Sequence, residues 1–199
     1  GGAGDDTLIG GGGNDTLSDY EGVNIFEGGA GDDLINVSGA SGSSFSATID
    51  GGDGVDSLRM YGASSYMDTP SPGSTVDWSN LTISNVEILD GNGSSTSSLS
   101  VSDIIDSGIT TVQNLTLSLA PNLTTGGSLD VSTLSGSVSL RGTNQSDTLI
   151  GNDDDNVIYL LSSENNYSGD WGKDSIAAGG GDDTIVWQPS AHYNQSSWN

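Results

Sequence analysis

The apolar residues of this chain fall on a nine-residue beat. Written in nines from residue 1, the first 36 residues read GGAGDDTLI, GGGGNDTLS, DYEGVNIFE and GGAGDDLIN without a gap, and position eight is Leu8, Leu17, Phe26 and Ile35. A glycine-rich half followed by a short Thr/Leu/Ile half predicts a tight turn and then a short strand with one buried side chain. The beat returns over residues 142–186 as GTNQSDTLI, GNDDDNVIY, LLSSENNYS, GDWGKDSIA and AGGGDDTIV, with Leu149, Ile158, Tyr167, Ile176 and Ile185 at position eight. Two further nines, GSSFSATID and GGDGVDSLR, fit residues 42–59 and put Ile49 and Leu58 there. A unit this short cannot bury its apolar residue alone, so the pattern predicts stacked coils: an all-β, parallel β-roll or β-solenoid.

Residues 60–141 lack these turns but alternate apolar with Ser/Thr positions. Leu81 and Ile83, Val86 and Ile88, Leu99 and Val101, and Leu115, Leu117 and Leu119 read as strands continuing the same core. Val131 and Leu140 lie nine apart and lead into Leu149, so the register resumes before the second array. The stretch 100–108, SVSDIIDSG, predicts a short helix with Ser102 as its cap. Residues 62–75, with Pro70 and Pro72, predict a protruding loop, the place where a specific partner would bind. The chain thus divides into an N-terminal array (1–59), a β-rich interior (60–141), and a C-terminal array with its tail (142–199).

The polar half of each nine carries the chemistry. Position six is Asp6, Asp15, Asn24 and Asp33 in the first run, Asp56 in 51–59, and Asp147, Asn156, Asn165, Asp174 and Asp183 in the second, with Ala47 the one break. Glycines beside them allow left-handed backbone, so that carbonyls can turn toward a common centre; the candidates are Gly2, Gly4, Gly11, Gly13, Gly29, Gly31, Gly52, Gly54 and Gly180. Carboxylates and carbonyls together suit a hard cation such as Ca²⁺, which takes about 6–8 oxygens at roughly 2.3–2.6 Å in irregular geometry.

Charge points the same way. Three Lys plus Arg stand against 27 Asp plus Glu in 199 residues, a net charge of −24. That balance argues against nucleic acid as a partner, and without compensating cations such a chain tends to stay unfolded. There is no cysteine, which removes disulfides and thiolate metal sites, and no apolar run long enough to insert in a bilayer.

These nines resemble the RTX (repeats-in-toxin) motif of bacterial secreted proteins, G-G-x-G-x-D-x-U-x, itself a standard example of a calcium-binding β-helix repeat. The resemblance covers 1–59 and 142–186. It implies several Ca²⁺ ions held in turns, two nines per coil, and therefore position-six partners eighteen residues apart. That spacing pairs Asp6 with Asn24, Asp15 with Asp33, Asn156 with Asp174, and Asn165 with both Asp147 and Asp183. It further implies one-step export and folding in extracellular calcium, at a secreted or cell-surface location. Because calcium binds only the folded state, the metal-free chain is expected to be largely unstructured.

No catalytic constellation is present: HExxH, G-x-S-x-G and phosphate-loop motifs are missing from the sequence, and His192 stands alone. The segment therefore reads as non-catalytic. Thr7, Thr16, Thr148 and Thr184 share position seven in rows too short for an ice-binding face, and Asn-x-Ser/Thr triplets at Asn80, Asn114 and Asn122 occur at chance level for this composition. Trp171, Trp187, Tyr193 and Trp198 suit capping, or stacking on a glycan or a neighbouring subunit. Besides calcium, the partners left open are a second copy of the chain or cell-surface glycans. Residue 1 opens inside a repeat, as in a piece of a larger protein. The preferred role is a structural module of a secreted surface protein (adhesin, surface layer or extracellular filament); the alternative is the folding and secretion module of a secreted protease, lipase or epimerase.

Overall fold

The computed structural model describes residues 1–38, 44–61, 77–92, 95–96, 101–118, 126–143, 145–161 and 173–188. The strands, in chain order, are β1 (Thr7–Gly12), β2 (Thr16–Asp19), β3 (Val23–Ala30), β4 (Leu34–Ser38), β5 (Ser44–Asp53), β6 (Ser57–Tyr61), β7 (Asp77–Ser84), β8 (Ile88–Asp90), β9 (Ser95–Thr96), β10 (Thr111–Gln113), β11 (Leu115–Ser118), β12 (Ser128–Asp130), β13 (Val138–Arg141), β14 (Thr148–Ile150), β15 (Val157–Leu161), β16 (Ser175–Ala177) and β17 (Thr184–Gln188). Eight of them open at position seven of a nine, directly after the position-six Asp or, for β15, Asn156. Glycine and aspartate hold the turn, and Thr, Ser, Leu or Val then starts the extended segment.

Every described strand pairing is parallel, in four sheets ordered β1-β3-β5-β7, β10-β8-β6-β4-β2, β17-β15-β13-β11-β9 and β12-β14-β16. Successive strands of the first half alternate between the first two sheets, which makes a two-sided roll. The path changes at the middle: only Asn114 separates β10 from β11, and its φ of 51° turns the corner between the second and third sheets. β12 then starts the fourth sheet, and an isolated bridge from Thr111 to Ser135 brings the chain back beside the second sheet.

Position eight behaves as the pattern predicts. Leu8 pairs with Phe26, Phe26 with Ile49, Leu17 with Ile35, and Ile35 with Leu58. Phe26, Ile35, Ile49, Leu58, Leu149 and Ile158 are fully buried. The interior extends this core with Leu89, Val112, Leu115, Leu117, Val138 and Leu140. Ile176 is half-buried, and Ile185 is exposed although it holds the core position.

Several expectations change. Val101 is not in a strand: it opens the helix α1 (Val101–Asp106), which buries Ile104, and Leu99 lies outside the described residues. The helix predicted over 100–108 is therefore present, but Ser102 sits within its first turn rather than at the cap. Val86 is buried in the turn before β8, and Leu89 rather than Ile88 is the buried apolar residue of that strand. Leu140 pairs with Ile158 eighteen residues on, as the resumed register requires, whereas Leu149 pairs with Leu129 rather than following Val131. The proline loop 62–75, Leu119, His192 and the aromatic residues Trp171, Tyr193 and Trp198 lie outside the described residues.

One ion pair braces the second sheet. Arg59 Nε donates to Asp90 Oδ2 at 2.8 Å across the β6–β8 pair, and the same carboxylate accepts the Asn92 N–H and the Asn114 side-chain amide. Burial alone would raise the Asp90 pKa, but these three donors hold it below the usual carboxylate value. Replacing Arg59 with Ala leaves a buried carboxylate without its counter-charge. Since the guanidinium is about one-third exposed, the expected loss is about 2 kcal/mol, below the ~3–5 kcal/mol of a fully buried broken pair; urea unfolding in calcium measures it.

Candidate metal centre

Each turn is built from two ladders that run in opposite directions between coils. At position six, the side chain reaches back to the previous coil: Asn24 Oδ1 accepts the Asp6 N–H at 2.9 Å, Asp33 Oδ1 the Asp15 N–H at 2.7 Å, and Asp56 Oδ1 the Asp33 N–H at 2.7 Å. Glu87 Oε2 extends this column by accepting the Asp56 N–H at 2.9 Å. At position five the side chain reaches forward. Asp5 Oδ1 accepts the Val23 N–H, Asn14 Oδ1 the Asp32 N–H, Asp32 Oδ1 the Val55 N–H, Ser146 Oγ the Lys173 N–H, and Asp155 Oδ1 the Asp182 N–H, all at 2.8–3.0 Å. Turn N–H groups that face no strand are thereby satisfied.

One oxygen of Asp33 and of Asp56 is used this way, and on this edge the other is orphaned. Asp15, Asp33 and Asp56, stacked through the turns that precede β2, β4 and β6, each keep a buried Oδ2 with no hydrogen-bond partner. Asp33 and Asp56 are 2% and 0% exposed. Burial first, then the neighbouring charges of Asp33, Glu87 and Asp32, push the Asp56 pKa up, against the lowering effect of its backbone hydrogen bond with Asp33. Asp19, at position one of the third nine, also has a buried Oδ2 without a hydrogen bond.

Main-chain carbonyls crowd the same places. A Cβ added at Gly10 would stand 2.5 Å from the Gly28 carbonyl oxygen and 2.8 Å from Asp15 Oδ2. At Gly28 it would collide with the Gly51 carbonyl and Asp33 Oδ2, and at Gly51 with the Asn85 carbonyl and Asp56 Oδ2. Position one is glycine because a carbonyl and an unpartnered carboxylate oxygen already fill its side-chain space. Positive φ appears at positions two and four, for instance Gly29 (112°) and Gly31 (125°). In the last nine it falls on Gly179 and Gly181, not on Gly180, and Gly22 (91°), at position four of the third nine but not among the candidate glycines, supplies it there.

Among the described residues no three His, Cys, Asp or Glu side chains gather as a ready metal cluster. Buried carboxylate oxygens beside convergent carbonyls therefore fit a cation that takes much of its shell from main-chain oxygen, as Ca²⁺ does.

The eighteen-residue spacing holds in the first run for Asp6–Asn24 and Asp15–Asp33. In the second array it does not. Asp174 Oδ1 accepts the Asp147 N–H at 2.9 Å and Asp183 Oδ1 the Asn156 N–H at 3.0 Å, both across 27 residues. The expected Asn156–Asp174 pair is replaced, and Asn165, with its two expected partners, lies outside the described residues. The intervening nine LLSSENNYS has no glycine at positions one, two or four, and its residues 162–168 lie outside the described residues.

A family model describing the RTX calcium-binding nonapeptide repeat matches four copies, over residues 1–35, 139–166 and 168–186. These segments belong to the RTX repeat family. The RTX turns bind Ca²⁺, several ions across the repeats, and the chain is a calcium-binding module of a secreted protein. Neither the curated proteins nor the solved structures give a match. No helix among the described residues is long and apolar enough to cross a membrane.

The pKa directions give a pH signature for the RTX turns without metal. Asp56 has a folded pKa above its unfolded 3.8, so its folded form holds a proton that the unfolded chain has released. Metal-free stability therefore rises as pH falls from neutral toward 3.8. Asp90 has a folded pKa below 3.8, and its contribution, present above that value, is lost only at lower pH. Strand signal in chelator is expected to grow on mild acidification and decline below pH 3.8; circular dichroism across that range checks it.

Proposed function

We propose that this segment is a calcium-folded structural module of a secreted bacterial surface protein, in which arrays 1–59 and 142–199 brace the interior 60–141. The observation that carries the calcium half is the column Asp15–Asp33–Asp56, whose buried oxygens face carbonyls and have no donor. A cation there removes repulsion that the protein itself leaves uncompensated. The structural half rests on the interior: β8 to β13 continue the core without calcium turns, which is the build of a scaffold rather than of a short folding tail.

On this reading calcium sets the stiffness of the chain outside the cell, and the partners are a second copy or a surface glycan. The test is sedimentation over a concentration series in millimolar calcium, alongside binding to intact cells and their released glycans. Calcium-dependent self-association or glycan binding supports the surface role. A monomer that binds neither overturns it in favour of the folding module of a secreted enzyme.

A further inference from the structure

Asp and Asn have nearly the same shape, and position six shows what exchanging them does. At Asp33, Oδ1 accepts the N–H of the preceding coil, and Oδ2, directed into its own turn, has no donor. At Asn24 the Oδ1 role is kept, but the other atom is an amide nitrogen that donates to the Glu21 carbonyl at 2.9 Å. Asn156 differs: its Oδ1 is buried without a donor, but its amide donates to Asn152 Oδ1 at 2.9 Å and to the Asp154 carbonyl, with Asp183 Oδ1 at 3.3 Å, so four chain oxygens including the Asn152 carbonyl gather on one NH₂ group. Two polarised N–H bonds thus sit among oxygens that would otherwise repel one another. Asp147 reaches the same end differently: Thr143, where most turns have glycine, donates its N–H at 2.6 Å and its hydroxyl at 3.0 Å to Oδ2. Buried position-six carboxylate oxygens without a donor occur, among the described residues, on Asp15, Asp33 and Asp56.

We propose that the chain segregates its calcium: ions load along the single column Asp15–Asp33–Asp56, while the turns at Asn24, Asn156 and Asp147, where a protein N–H or O–H group stands among the turn's oxygens, take no ion. This rests on the calcium reading of the column. One edge of the first roll is then the calcium-responsive element, and the coils around β13 to β15 hold their shape at calcium levels that leave that edge unformed.

Hydrogen exchange with and without chelator, together with ion counting by native mass spectrometry, tests this on the wild type, Asp33→Asn and Asn156→Asp. In chelator, protection is expected to vanish over residues 7–61 and to persist over 128–161. Asp33→Asn is expected to bind fewer ions than the wild type, and Asn156→Asp one more. Equal loss of protection in both regions overturns the segregation, and so does a folded Asn156→Asp with an unchanged ion count. The wild-type exchange pattern decides the matter if that variant does not fold. A wild type that binds no calcium refutes the underlying calcium reading instead, so the two failures are distinct.

Discussion

Chelating calcium is expected to collapse the strand signal of this protein in far-ultraviolet circular dichroism, with the steepest loss over residues 7–61, and excess calcium to restore it. The metal-free first roll has too little to hold it: one core-facing apolar position per nine, and three stacked carboxylates whose inner oxygens have no donor, in a chain whose net charge is −24. A ligand present at ~100 times its Kd stabilises the folded state by about 2.7 kcal/mol per site, so two or three sites supply about 5–8 kcal/mol. A domain's whole stability is ~5–15 kcal/mol. Removing the ion therefore removes a term as large as the balance it maintains, and the transition should be cooperative in calcium. Strand content that is unchanged in chelator would sink calcium-coupled folding altogether.

How far the sequence can be read depends on whether a position is held by one residue type. Position eight is always large and apolar and position six almost always Asp or Asn, so the core column and the acidic column are both legible in the order of residues alone. The forward ladder is not, because position five uses Asp5, Asn14, Asp32, Ser146 and Asp155 alike: any short side chain with an acceptor oxygen reaches the next N–H. Glu87 is hidden for a related reason. No glycine precedes it; Asn85 takes the left-handed conformation (φ 50°) in its place, and the longer Glu side chain still reaches the Asp56 N–H. Phase misleads in the second array. The nines run unbroken through LLSSENNYS, yet β14 pairs with β16 and β15 with β17 across 27 residues, since apolar and polar anchors kept in phase do not by themselves fix which nines pair.

Phe26→Ala is expected to be the most damaging single change in the core, costing about 3–5 kcal/mol. Phe26 is fully buried, stacked between Leu8 and Ile49 in the first sheet. The other apolar residues of the same nine, Val23 and Ile25, lie on the exposed face of β3 and cannot move into the space. The neighbouring coils cannot close on it either, because the Ile25 N–H is tied to the Asp6 carbonyl at 2.9 Å and the whole β3–β5 pair is in register. The cavity term is therefore retained nearly in full. Because calcium binding and folding are one equilibrium, the variant should need several-fold more calcium to reach half its strand signal. Ile25→Ala, one residue away on the outer face and 42% exposed, should shift that midpoint little, as surface substitutions usually stay within about 0.5 kcal/mol. Equal shifts for the two variants would mean that position eight does not face a packed core, and that the alternation along β3 does no more than order the strand.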